Sequence, residues 1–168
     1  MAVPARADGP PSGIIGPIFG AREGILDVGP QFQLGALWGV EAGWQPMRPA
    51  QRIGLALRWR TIFSGYWSAD SSNVAAGLRV IEMDGGAYAR FAVSDKGRYF
   101  DLGGGWSVLR SNVPLAPKNQ RSYTGPWAGL ALEQLIGDST FVTFEIRAGE
   151  LASGPTTLSA IFGVKFGV

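Results

Sequence analysis

The sequence contains neither cysteine nor histidine. The absence of cysteine excludes disulfides, thiol nucleophiles and thiolate metal sites. The absence of histidine removes the commonest general base and the usual zinc ligand. Most catalytic and metal-dependent functions lose their usual residues, so we expect a protein that is not an enzyme and binds no cofactor or metal.

Charge and long hydrophobic runs are also scarce. Charged residues make up 17% of the 168 residues, against about 25% in a typical soluble protein. The formal net charge is only +2 and no basic run occurs, which argues against a nucleic-acid partner. No apolar stretch approaches the roughly 20 residues of a transmembrane helix. The length is that of a single domain.

Residues 1–24 are rich in proline and glycine and have little periodicity. We therefore interpret them as an N-terminal tail before a domain at 25–168, and three arrangements stay open: the tail plugs the domain, pairs with it as an additional strand, or hangs free. Ala5-Arg6-Ala7 followed by Asp8 is similar to the cleavage junction of a secretory leader. Our hypothesis is that these residues are the remnant of such a leader.

After residue 24, bulky apolar residues alternate with small or polar ones, as in a β-strand with unlike faces. The clearest case is 156–168, where Leu158, Phe162 and Phe166 share one parity while Ser159 and Lys165 share the other. The same pattern predicts strands near 31–44, 52–63, 74–83, 88–93, 100–108, 126–135, 140–149 and 156–168. Asp84-Gly85-Gly86 predicts a tight turn between two of them.

Eight strands joined by short connections predict an all-β, antiparallel up-and-down barrel, because closure removes the sheet edges. The alternation alone fits both a soluble ligand-binding barrel of the lipocalin or avidin kind and a transmembrane barrel. The bulky face carries Trp38, Trp59 and Trp106 with many phenylalanines and leucines, which would overfill an eight-stranded interior. The opposite face is mostly glycine with a few long charged residues. We therefore predict that the apolar face contacts lipid.

The chain resembles the small eight-stranded bacterial outer-membrane barrels. The resemblance lies in the strand pattern over 31–168 and in the C-terminal segment, whose Phe162, Val164, Phe166 and Val168 are similar to a barrel-assembly signal, although such chains usually end on an aromatic residue. It implies a monomer in the bacterial outer membrane that contacts membrane lipid. It also implies aromatic girdles, for which the candidates are Trp44, Tyr66, Trp67, Tyr99 and Trp127. Enzymes of this family commonly rely on histidine, which this chain lacks.

Long charged residues on the small-residue face are candidates for a lumen network. They are Glu41, Arg58, Arg60, Arg79, Arg90, Asp101, Glu133, Glu145, Arg147 and Lys165. Buried charges require partners, so we expect a ladder of ion pairs, with Arg58 or Arg60 against Glu41 as the first. The network is interpreted as a filled interior or, alternatively, as the lining of a narrow channel.

The longest predicted connection runs from Arg110 to Ser122 and carries Lys118 and Arg121 as candidate loop contacts. We expect it on the outer side of the membrane, together with the connections at 45–51 and 150–155. An anionic partner such as lipopolysaccharide, or a protein, would bind there. The sequence thus predicts an outer-membrane barrel with a filled polar lumen and a structural, anchoring or surface-binding role. A soluble ligand-binding barrel and a narrow outer-membrane channel are the alternatives.

Overall fold

A computed structural model describes residues 12–24, 33–46, 52–66, 79–94, 96–115, 120–150 and 156–168. They form eight strands in one closed barrel, each antiparallel to its neighbours, with the first strand paired to the last. The strands are β1 (Gly13–Gly24), β2 (Gln33–Trp44), β3 (Ile53–Tyr66), β4 (Arg79–Ser94), β5 (Arg98–Leu115), β6 (Gln120–Ile136), β7 (Thr140–Glu150) and β8 (Thr156–Gly167). The predicted fold class is confirmed. Within these ranges no helix is long and apolar enough to cross a membrane.

Burial follows the sequence alternation. In β6, β7 and β8 successive residues switch between buried and exposed almost without interruption. Large apolar side chains cover the outer face, where Trp38 is 56% and Trp106 is 55% exposed. The inner face carries the charged residues and the glycines, as the bulk argument predicted.

Residues 13–24 form β1 and are not a tail. Of the three arrangements left open for the N-terminal segment, they adopt the one in which it pairs with the barrel as a strand. Ile14, Ile18 and Arg22 point inward from β1, while Ile15 and Phe19 are exposed. The two glycines between the inward residues allow a close approach to β8: a Cβ on Gly16 would lie 2.0 Å from the Val164 carbonyl oxygen, and one on Gly20 would lie 1.9 Å from that of Ala160. The glycines that suggested a tail therefore close the barrel wall. Residues 1–11, which include the proposed leader remnant, lie outside the described ranges.

The predicted turn at Asp84-Gly85-Gly86 is also wrong, because β4 passes through these residues without interruption. Gly86 faces Gly105 of β5, and a Cβ on Gly86 would lie 2.3 Å from Cζ2 of Trp127. These glycines leave room for an indole ring inside the barrel rather than making a turn. One continuous β4 also fixes a single parity, so Val80 points inward and Arg79 outward, opposite to their predicted faces.

The barrel has two unlike rims. The turn rim contains Gly13, Val168 and the connections 45–52, 95–97 and 137–139; the loop rim contains the connections 25–32, 67–78, 116–119 and 151–155. Gly97 (φ 71°) and Gly137 (φ 66°) supply the left-handed residues of two turns. The predicted grouping of connections is wrong on two counts. The segment 110–122 is mostly the β5–β6 hairpin, and 45–51 lies on the opposite rim, because successive connections must alternate between rims.

Candidate functional site

The lumen holds charged side chains from all eight strands. Six are basic and six are acidic, and each has a relative exposure of at most 7%. The basic ones are Arg22, Arg58, Arg60, Arg90, Arg147 and Lys165; the acidic ones are Glu41, Glu82, Asp84, Asp101, Glu133 and Glu145. The described interior is therefore densely charged and formally neutral. Such an interior is stable only where every charge is paired.

Arg60 forms one half of a central cluster in the lumen. Its Nε donates to Glu41 Oε2 at 2.6 Å, and its two terminal nitrogens donate to the two carboxylate oxygens of Glu145 at 2.9 and 2.6 Å. This fork-to-fork geometry is the strongest form of arginine–carboxylate pairing. The sequence predicted Arg58 or Arg60 as the partner of Glu41, and Arg60 is the one that donates a hydrogen bond to it.

Arg90 forms the other half of the central cluster. It donates twice to Asp101, at 3.0 and 2.8 Å, and once to Glu133, at 2.6 Å. Arg58 contacts Asp101 as well. The Lys165 ammonium lies 2.7 Å from both Glu41 and Glu133 and so links the two halves. Because most of these anions contact more than one cation, the cluster is a network rather than a set of separate pairs.

A second, loop-side cluster lies nearer the loop rim. Arg22 pairs with Glu82, and Arg147 pairs with both Glu82 and Asp84. Arg22 Nε also donates to Ser159 Oγ at 3.0 Å. Sequence reasoning missed three members of this cluster, since Arg22 fell in the presumed tail, Asp84 fell in the presumed turn and Glu82 lay just before that turn. A continued alternation through both segments was the signal that would have found them.

Two aromatic rings separate the clusters. The Tyr88 hydroxyl accepts from Arg60 at 2.9 Å and donates to Glu145 at 3.0 Å. The Tyr88 and Trp127 rings are 5.6 Å apart, and the Arg147 guanidinium carbon lies 4.5 Å from the Trp127 ring. The glycines of β4 and β5 make space for both rings. These cation–π contacts tie the two clusters to one aromatic layer.

The girdle prediction is wrong for two of its five residues. Trp44 is exposed on the outer face, whereas Tyr99 and Trp127 are buried in the lumen. Their parity in β5 and β6 decides this, because each alternates with outward-facing residues of its own strand. The side chain of Tyr66 and the whole of Trp67 lie outside the described part of the chain.

Apolar residues cover both ends of the charged interior. Ile14, Tyr99 and Phe141 pack together near the turn rim. Val80, Leu109 and Tyr123 are buried near the loop rim. Along the wall between them, a cluster of four residues packs beside the charges: Ile18, Leu37, Ile62 and Ile161. The described lumen is therefore packed along its length.

The remaining predicted site residues lie on the outside. Arg79 is exposed on the outer face of β4, where its backbone N–H donates to Asn112 Oδ1 at 2.9 Å, so its assignment to the lumen is wrong. Arg121 is exposed at the start of β6, and Lys118 lies outside the described ranges. Three residues of the predicted assembly signal lie on the outer face of β8: Phe162, Val164 and Phe166. The fourth, Val168, follows the strand and is exposed.

The chemistry of the lumen is that of ion pairing between buried charges. Each of the six interior carboxylates lies within salt-bridge distance of at least one cation. Among the described residues, no group of carboxylates is arranged to hold a metal ion. The arrangement neutralises and rigidifies the described interior.

No protein-family model and no curated protein sequence matches the chain. Solved structures do match. Neisserial surface protein A (NspA) gives a TM-score of 0.70 at 12% identity, with 96% of this chain and 100% of that chain covered. The attachment invasion locus protein Ail of Yersinia pestis gives 0.61 at 11% identity, covering 94% and 100%. The outer membrane enzyme PagL gives 0.57 at 11% identity, covering 94% and 100%.

These similarities confirm the predicted resemblance at the level of fold. The chain has the fold of the small eight-stranded bacterial outer-membrane β-barrels. One of the three matched structures is that of an enzyme.

Proposed function

We propose that this chain is an integral protein of a bacterial outer membrane whose charged interior is a structural plug and whose role is anchoring or surface binding rather than catalysis or transport. The supporting observation is that the outer and inner faces of the barrel wall differ in polarity. The outer wall exposes large apolar side chains such as Trp59 (53%) and Leu132 (58%), while twelve interior charges are paired and buried. A soluble barrel would expose the second set and bury the first.

The orientation follows from the rims. Outer-membrane barrels have short periplasmic turns and longer extracellular loops. Two of the three turn-rim connections, 95–97 and 137–139, are only three residues long, whereas the longest connection, 67–78, is at the loop rim. The turn rim therefore faces the periplasm in this proposal, and the loop rim faces outward. Partners approach from the loop rim, because lipid covers the wall.

The surface ligand that we favour is an anion at the loop rim. Three exposed arginines lie on adjacent strands near this rim: Arg79 on β4, Arg110 on β5 and Arg121 on β6. Phosphate and sulfate groups accept the forked hydrogen bonds of guanidinium. One structure of Ail, similar to this chain with a TM-score of 0.51 at 11% identity, is a complex with the heparin analogue sucrose octasulfate. A lipopolysaccharide head group is also anionic.

The test is refolding of the chain followed by two measurements. We expect that the folded protein requires detergent or lipid and migrates differently on gels before and after heating. We also expect that it adds no stable conductance steps in planar bilayers. A folded monomer that stays soluble without detergent would contradict the membrane assignment, and a steady conductance would contradict the filled lumen.

A further inference from the structure

The outer wall contains a cavity of about 300 Å³ close to the turn rim, across β4, β5, β6 and β7. This volume is at the lower end of the range for small-ligand sites. Outward-facing apolar side chains line most of it, and a polar pair lies at one end. The outward-facing apolar residues are Val93, Leu132, Val142 and Phe144, and the outward-facing polar ones are Arg98 and Gln134. Tyr99 and Glu133 also line the cavity, but they are buried on the lumen side of the wall.

Local backbone features build this groove. The β4–β5 register shifts between Ala92 and Ser94, and such bulges re-aim the side chains around them. The following turn folds onto β6, where the Leu135 N–H donates to the Gly97 carbonyl at 2.8 Å. A ledge therefore projects at the rim end of the groove, and Arg98 begins β5 directly beside it.

The Arg98 side chain is held in place by Gln134. Arg98 Nε donates to Gln134 Oε1 at 2.7 Å, and Gln134 Nε2 donates to the carbonyls of Lys96 and Leu135 at 3.0 and 2.9 Å. The amide is thus fixed by the ledge and in turn fixes the guanidinium. Within the described residues no ion pair involves Arg98, so its terminal nitrogens keep donors for a ligand. A fixed fork loses less freedom on binding than a mobile one.

We propose that this groove binds one glycerophospholipid of the inner leaflet. An acyl chain lies over Leu132, Val142 and Phe144, and the phosphate accepts hydrogen bonds from Arg98. The inference rests on the proposed membrane location and orientation. An apolar groove that ends at a preorganised guanidinium complements a phosphodiester with a hydrocarbon tail. The turn rim is the periplasmic rim in that orientation, so the phosphate meets Arg98 at the edge of the apolar wall.

The experiment is native mass spectrometry of the folded full chain, released from detergent in the presence of phosphatidylglycerol. We expect the wild-type chain to retain one phospholipid. Arg98→Gln should lower the retained fraction roughly tenfold, as for the loss of a charge-assisted hydrogen bond. Leu132→Trp, which fills the groove without altering charge, should lower it to a similar extent. Arg52→Gln, another exposed arginine at the same rim but outside the groove, is the matched control and should bind like wild type.

Equal losses for Arg98→Gln and Arg52→Gln would overturn the site, because they would indicate unspecific attraction of lipid to surface charge. Undiminished retention of phospholipid by the Leu132→Trp variant would overturn the site as well. Preferred retention of lipid A over phosphatidylglycerol would overturn the inner-leaflet assignment. Heat-dependent gel mobility of each variant reports folding in detergent separately, so failure of the barrel itself is distinguished from failure of the groove.

Discussion

The two faces of each strand obey different rules, and β6 illustrates the contrast. Its inner face carries Trp127, Ala131 and Glu133, each fitted to particular neighbours, while its outer face carries Leu130 and Leu132 in an apolar surface. An inner residue must match a partner in shape and charge. An outer residue need only be apolar. A substitution on the inner face should therefore destabilise the barrel when it removes an interaction partner. A substitution on the outer face should destabilise it only when it introduces a charge.

The largest effect is expected for Arg60→Met. The change removes three hydrogen bonds to Glu41 and Glu145 and leaves buried carboxylates with fewer cations. Breaking a buried pair by removing one partner typically costs about 3–5 kcal/mol. Denaturant unfolding of the refolded barrel in detergent micelles measures this loss.

The double variant Arg60→Met with Glu145→Met is the control for that prediction. The double variant removes the Glu145 carboxylate together with the Arg60 guanidinium, so it should be less destabilised than Arg60→Met alone. Strictly additive effects of the two substitutions would show that the pair is not coupled.

An intermediate effect is expected for a charge on the outer wall. Ile146→Arg places a cation in the middle of β7, where lipid-facing arginine costs about 2–4 kcal/mol. Glu150→Arg lies on the same face of the same strand at its loop-rim end, where the cost is about 0–1 kcal/mol. Unfolding of both variants in lipid vesicles tests this dependence on depth. Equal losses at the two positions would mean that β7 does not cross a bilayer as described.

The smallest effect is expected for Arg79→Gln. Arg79 is exposed on the outer face near the loop rim, and substitutions at such sites usually change stability by less than about 0.5 kcal/mol. The sequence alone placed Arg79 in the lumen with Arg90, so Arg90→Gln is the informative comparison. Arg90→Gln should be clearly destabilising, because it removes three hydrogen bonds to Asp101 and Glu133. Similar losses for both variants would contradict the observed parity of β4.

The sequence predicted the barrel because the alternation of apolar and small or polar residues is a local pattern, and every strand of the closed barrel repeats it. It predicted the central cluster for the same reason, since Arg58, Arg60 and Glu145 share the parity of their small neighbours. The prediction from the sequence was wrong where a glycine fits either a flexible segment or turn, or the interior of a strand. Gly16 and Gly20 look like a flexible tail, yet they allow β8 to approach closely, and Gly86 looks like part of a turn, yet it leaves room for Trp127. That distinction depends on residues far along the chain, such as Trp127, some 40 residues after Gly86.

The identity of most ion-pair partners could not be predicted from the sequence. Arg90 meets Glu133, and Arg147 meets Glu82, across the lumen, so the pairing depends on stagger and closure rather than on strand order. Only neighbours on adjacent strands, such as Glu41 and Arg60, are accessible to local reasoning.

The proposed function requires that the outer face contacts lipid while the paired interior contacts neither lipid nor water. Trp106 and Trp127 test it most directly, because they lie on adjacent strands at the same height with opposite orientation: Gly105 is the register partner of Trp127, and Pro126 that of Trp106. The measurement is fluorescence quenching in vesicles for two variants that keep one of these tryptophans, with every other tryptophan replaced by phenylalanine. We predict that brominated lipid strongly quenches Trp106 and barely affects Trp127, and that aqueous acrylamide quenches neither. Equal quenching of both by brominated lipid, or ready quenching of Trp127 by acrylamide, would contradict the account.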